Sequence, residues 1–162
     1  NALWATLAVM ALEAKQFDTA EIAYAAIDRI EKVMHLNEIK AIPQADVQTL
    51  ELELMRCNID AAEMGFIQKG YFLRAVYLNL TLYRWMKAIK LASQFNQKFK
   101  SFTFNNRDIS LMEIVLSNRQ YFLQLKSKNE TIQEYLEALK NYEDLPEWKQ
   151  IESSIKNILY EK

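Results

Sequence analysis

Glycine and proline are almost missing from this sequence: its 162 residues contain 2 of each. An all-β or loop-rich fold needs such residues at every turn, so that class is excluded. The one cysteine, Cys57, rules out an internal disulfide framework and a cysteine-built metal site, and the one histidine, His35, rules out a multi-histidine centre. The two glycines do not cluster, so there is no glycine-rich loop to cradle a phosphate. Net charge is scant as well, at -1, which removes any argument from the chain as a polyelectrolyte. The run Ala2–Leu12 is apolar apart from Thr6, but it is too short to span a bilayer and lacks the basic flank of a secretory signal.

What is abundant is hydrophobic sequence. Such residues make up 51% of the chain against 25% charged, enough to build a core in one domain of ordinary size. They recur at helical spacing almost throughout, so the fold class is all-α. Helices are expected over 2–14, 18–33, 44–56, 60–69, 72–80, 84–95, 108–126, 130–142 and 147–159, with 35–42 unassigned. Asp18-Thr19-Ala20-Glu21 and Asp60-Ala61-Ala62-Glu63 have the form of capping boxes, in which the first carboxylate takes an orphan N–H and the second reaches back. Pro146 marks the start of the last helix, whose apolar stripe is Trp148, Ile151, Ile155, Ile158 and Leu159.

A short pattern repeats: Phe17-Asp18-Thr19-Ala20, Ile59-Asp60-Ala61-Ala62, Phe72-Leu73-Arg74-Ala75 and Trp85-Met86-Lys87-Ala88. Each is a large apolar residue, two mostly polar positions, then alanine. Stacked helical hairpins need this, because the large residue wedges between neighbours while alanine lets two backbones approach. The expected architecture is a degenerate, tetratricopeptide-like α-solenoid over 1–96, a connector over 97–107 and a C-terminal helical cap over 108–162. A first helix that is apolar all round must be buried all round. The expectation is therefore an upstream helix covering one of its faces, with this chain as the C-terminal piece of a longer protein.

The search for chemistry comes back nearly empty. His35 has no neighbouring triad signature and is expected at a helix surface. Cys57 is expected as a small buried apolar residue, with nothing nearby to lower its pKa. Glu51 and Glu53 point to different helix faces, and Asp60 and Glu63 are accounted for by capping, so no carboxylate pair is left for acid–base work. Two glycosylation sequons, at Asn79 and Asn129, are read as coincidence. No catalytic, cofactor or metal residue is expected, and an all-α enzyme ranks last among the readings.

Charge distribution is the sharpest signal. Residues 1–63 hold 11 acidic and 5 basic side chains, whereas residues 64–107 hold no acidic residue and 8 basic ones. These are Lys69, Arg74, Arg84, Lys87, Lys90, Lys98, Lys100 and Arg107. Arg84, Lys87 and Lys90 fall opposite the stripe Trp85, Ala88, Ile89 and Ala92, so a basic surface is expected from Arg74, Arg84, Lys87, Lys90, Lys98, Lys100 and Arg107. It reads as a solvated face, as a site for an acidic protein surface, or as a site for a polyanion or anionic lipid. Eight dispersed charges are few for a polyanion, so neither nucleic-acid binding nor membrane insertion is expected. Tyr71, Phe72, Tyr77 and Tyr83 crowd two short helices, and aromatics beside arginine are common ingredients of a protein interface.

Several strings carry a family resemblance. Leu3-Trp4-Ala5-Thr6-Leu7-Ala8, Asp18 through Ile27, Asn58-Ile59-Asp60-Ala61-Ala62-Glu63, Leu78-Asn79-Leu80 with Leu82-Tyr83-Arg84-Trp85, and Ala88-Ile89-Lys90-Leu91-Ala92 resemble the C-terminal region of the intraflagellar transport protein 80 family. Asn118 through Leu123 and Trp148-Lys149-Gln150-Ile151 are similar to further short strings there, while Lys98–Leu116 departs most. The resemblance implies two WD40 propellers upstream of a tetratricopeptide-like tail. It also implies a non-catalytic scaffold role in the complex B train of the cilium, with other train subunits and self-association as contacts. A coat or tethering subunit of membrane traffic shares the propeller–solenoid plan and is the alternative. An RNA-binding helical repeat would need base-reading residues at fixed repeat positions, and none are present.

Overall fold

A computed structural model describes residues 1–99, 102–118, 140 and 145–161. They form two compact units, 1–62 and 63–162. The first holds α1 (Ala2–Glu13), α2 (Phe17–Ala25), α3 (Ile30–Lys40) and α4 (Ala45–Met55), and α5 (Ile59–Lys69) opens near its end. The second holds α6 (Phe72–Thr81), α7 (Trp85–Phe95), the strands β1 (Phe102–Phe104) and β2 (Arg107–Ile109), α8 (Leu111–Leu116) and α9 (Trp148–Ile158). The expected helix over 130–142 lies outside the described residues, as does 108–126 beyond Asn118.

In the first unit each helix packs on the next, α1 on α2, α2 on α3 and α3 on α4. Its core is Ala11, Leu12, Ala20, Leu36, Ile39, Leu52 and Met55, flanked by Phe17 and Tyr24. α1 buries Ala8, Ala11 and Leu12 but exposes Leu3, which is 87% accessible, together with Val9 and Met10. In the second unit α6 packs on α7, and α8 on both. Leu73, Val76, Leu80, Ala88, Leu91, Ala92 and Ile114 are buried there with Ile151, Ile155 and Leu159 of the α9 stripe.

The four-residue repeat has a structural counterpart. Phe17, Ile59, Phe72 and Trp85 are each the first residue of a helix, and the alanines three positions on, Ala20, Ala62, Ala75 and Ala88, are 0–1% exposed. One turn geometry precedes all of them, and precedes Ile30 too. Lys15, Asp28, Cys57, Gly70 and Tyr83 all have positive φ, between 55° and 87°. Each donates its N–H three residues back, and the next residue donates five residues back: Gln16 to Ala11, Arg29 to Tyr24, Asn58 to Glu53, Tyr71 to Phe66 and Arg84 to Asn79. This is the Schellman closure of a helix C-terminus, found five times among the described residues, with glycine at the left-handed position in one of them.

Several local expectations are corrected by these turns. Helix 18–33 is two helices, because Asp28 turns left-handed between them. Asp18 and Glu21 do not form a capping box; Gln16 is the N-cap, and both carboxylates instead grip Lys40 of α3 at 2.7 and 3.1 Å. That double hydrogen bond, to Asp18 first and then Glu21, raises the Lys40 pKa. Asp60 is the second helical residue of α5, and Glu63 is engaged by α6 and α7. Cys57 is exposed rather than buried, since a left-handed turn residue points outward.

The connector over 97–107 contains most of an antiparallel β-hairpin, paired Phe102 to Ile109, Thr103 to Asp108 and Phe104 to Arg107. Asn105 and Asn106, at φ 50° and 61°, make the two-residue turn, a conformation asparagine tolerates. The next helix thus begins at Leu111 rather than Asp108, under a true capping box between Ser110 and Glu113.

Candidate interaction surface

The basic residues expected to share one surface have different fates. α7 places Ala88, Leu91, Ala92 and Phe95 in the core, which turns Lys87 and Lys90 outward in line with its N-cap Arg84. Arg84 and Lys90 are exposed. Lys87 is half-exposed and pairs at 2.8 Å with Glu63, whose own side chain is buried. Lys98 is exposed with its ammonium 5.6 Å from the Phe95 ring centroid, a cation–π distance. Arg107 pairs at 2.6 Å with Glu113. Lys100 lies outside the described residues.

Arg74 is a correction. It is only 9% exposed, with its guanidinium 5.3 Å from the Phe66 ring centroid and 5.9 Å from that of Tyr77. A helix whose other positions are nearly all apolar carries it inward, and aromatic faces make a buried guanidinium tolerable there. Among the described residues α7 and its N-cap contribute a basic ridge of Arg84, Lys87 and Lys90.

Beneath that ridge lies a polar network. The buried Asn79 donates Nδ2 to Glu63 Oε2 at 2.8 Å and to the Ala75 carbonyl at 2.9 Å, while Glu63 Oε1 takes Lys87. Asn79 Oδ1 has no hydrogen-bond partner among the described residues. Glu63, Asn79 and Lys87 thus tie α5, α6 and α7 together, the buried carboxylate taking one charge-assisted contact and one amide hydrogen bond. Sequence reading assigned Glu63 to capping and missed the network; the missing signal was Asn79, a polar residue in an otherwise apolar turn of α6.

A second feature was only half legible. Tyr77, Tyr83, Trp85, Asn118, Trp148 and Glu152 line a cavity of about 90 Å³ in the second unit. Tyr77 stacks with Trp148 at 6.1 Å and Tyr83 meets Trp85 edge-on at 5.9 Å. The sequence shows Tyr77 and Tyr83 among aromatics crowding two short helices and puts Trp85 and Trp148 on apolar stripes, but nothing in it brings Trp148 to Tyr77. Among the described residues no three His, Cys, Asp or Glu side chains gather as metal ligands, and no helix is long and apolar enough to cross a membrane.

Consecutive helices closed by one recurrent turn define an all-α helical-repeat domain of the tetratricopeptide type. Comparison with known proteins then gives its kin. A family model described as the IFT80/172/WDR35/WDR19 TPR domain matches residues 3–161, and the chain belongs to that family. The intraflagellar transport protein 80 homologs of Rattus norvegicus and Mus musculus are each 33% identical over 155 residues, 96% of this chain and 18% of theirs. The intraflagellar transport protein 172 homolog of Mus musculus is 30% identical over 106 residues, 57% of this chain and 6% of its own length. The chain therefore spans under a fifth of the curated relatives it matches. No solved structure matches it. The resemblance carried by the Leu3–Ala8 and Asp18–Ile27 strings is borne out.

Proposed function

We propose that the chain is a non-catalytic scaffold element of the intraflagellar transport complex B train, acting at the cilium by joining train subunits to one another. The observation that carries this reading is the family match over residues 3–161, reinforced by relatives named for intraflagellar transport. Two surfaces suit such a role. The ridge of Arg84, Lys87 and Lys90 is complementary to an acidic protein surface. The exposed Leu3, Val9 and Met10 on α1, with Ile22 on α2, present apolar area of the kind that self-association or a train neighbour buries.

The test is affinity purification of the full-length protein containing this chain from ciliated cells, at moderate salt, with mass spectrometry of what is retained. Train subunits are expected, and reversing Arg84 and Lys90 to Glu should reduce them. Lys87 is left intact in that variant because its loss would unpair the buried Glu63. Retention unchanged by the reversals would discard the ridge while keeping the scaffold role. Vesicle-coat subunits or RNA without train subunits would overturn the proposal.

A further inference from the structure

The aromatic cavity of the second unit has a chemistry of its own. Its walls come from α6 (Tyr77), the α6–α7 turn (Tyr83), α7 (Trp85), the end of α8 (Asn118) and α9 (Trp148, Glu152). Four aromatic rings and one carboxylate, with Leu80 and Thr81, surround about 90 Å³, room for the planar head of a guanidinium.

Three observations say that the space suits a cation. First, ring faces attract positive charge, indoles most strongly, and two of the four rings are indoles. Second, the chain already uses this layer for cations. Arg74 lies over the Tyr77 ring, and the Lys156 ammonium pairs with Glu152 at 2.9 Å. The Lys156 pKa is raised, by its hydrogen bond to Glu152 first and by the neighbouring Tyr77 second. Third, Tyr83 is 69% exposed and its ring meets Trp85 edge-on at 5.9 Å, so an aromatic side chain stands accessible at the mouth of the cavity.

We propose that this cavity receives an arginine side chain presented by a basic segment of a partner protein, its guanidinium lying against Trp85 and Trp148 and paired with Glu152. Arginine fits better than lysine because its flat, weakly hydrated head stacks on indoles and presents a fork of donors to a carboxylate. Asn118, 3% exposed and donating Nδ2 to the Ile114 carbonyl, adds a carboxamide to the floor. Lys156 is the internal competitor that the incoming guanidinium displaces; it lies on the same helix, one turn on, and is itself half-exposed. This inference stands apart from the transport reading, since it concerns one cavity and one side chain whatever assembly the protein joins.

The experiment is an NMR titration of the ¹⁵N-labelled chain with an acetylated, amidated Gly-Gly-Arg-Gly-Gly peptide, and with the same peptide carrying citrulline or lysine. The chain has three tryptophans, so three indole N–H signals report separately. Trp85 and Trp148 should shift with a dissociation constant in the millimolar range, as befits one side chain, while Trp4 stays still. Citrulline, nearly isosteric and neutral, should bind at least about tenfold more weakly. Glu152→Gln should weaken the arginine peptide about threefold. Tyr83→Gly relieves the turn while deleting one wall, and should weaken it by a similar factor. Equal shifts with arginine and citrulline, shifts at Trp4 matching those at Trp85, or arginine binding unaffected by both variants would overturn the proposal.

Discussion

Gly70→Ala and Cys57→Gly change the same position of the same turn and should move stability in opposite directions. An L-residue in the left-handed conformation costs about 1–2 kcal/mol relative to the right-handed one. Glycine escapes that cost but loses roughly 0.5–1 kcal/mol through its greater freedom in the unfolded chain. The difference is about 0.5–1 kcal/mol in favour of glycine at each left-handed position. Packing does not blur it. A Cβ built on Gly70 meets no atom within 4 Å, so Gly70→Ala adds backbone strain and no clash. Cys57 is exposed at φ 65°, so Cys57→Gly relieves strain at little expense in packing. In both turns the closing hydrogen bonds are main-chain and survive substitution. Urea unfolding followed by far-UV circular dichroism reads the effect as opposite displacements of the midpoint at unchanged slope. In thermal melts about 1 kcal/mol corresponds to roughly 2–4 °C for a chain of this size. Displacements of the same sign, or a loss of stability in Cys57→Gly as large as that in Gly70→Ala, would refute the claim that backbone conformation sets the balance at these turns.

Other perturbations have equally definite outcomes. Glu63→Ala strands the buried Asn79 amide and should cost about 2 kcal/mol in urea unfolding, whereas Glu63→Gln retains an acceptor for it and should cost less than half as much. Lys40→Gln should lower the melting temperature at neutral pH. Because the folded Lys40 pKa is raised, its contribution is complete below the ordinary lysine range and disappears as pH rises through the folded value, so melts of the two proteins should converge in strong alkali, and also in molar salt. Asn106→Gly should stabilise the β1–β2 hairpin by about 0.5 kcal/mol, seen as slower amide exchange at Phe104 and Arg107, the pair that closes the two-residue turn.

Helices and core were legible because period-3.6 spacing and buried alanine are local facts. The alanines of the four-residue repeat all lie in the core. Breaks between helices were harder to read. Four of the five Schellman turns use Lys15, Asp28, Cys57 and Tyr83 instead of glycine, so the usual punctuation is missing, and α2 and α3 fused in the reading. Both supposed capping boxes failed for a tertiary reason: Asp18, Glu21 and Glu63 reach partners on other helices, which no local spacing reveals. Arg74 was misplaced because charge alone argues for the surface, while the rings of Phe66 and Tyr77 that receive it become neighbours only on folding. The hairpin did announce itself, since Asn105-Asn106 between alternating residues is a turn signal, but in a helical chain it read only as a connector.

Cys57 also decides how association of this protein has to be measured. It is the chain's one thiol, and it stands exposed on the turn between α4 and α5. Two copies meeting in air-saturated buffer have a ready covalent route to a dimer, one that owes nothing to the apolar residues of α1. A dimer that vanishes with reductant therefore reports sulfur chemistry, and one that persists in Cys57→Gly reports a surface. The same thiol accepts a single fluorophore or spin label without any engineered cysteine, next to a helix junction, so its own inconvenience becomes the probe for the assembly it would otherwise obscure.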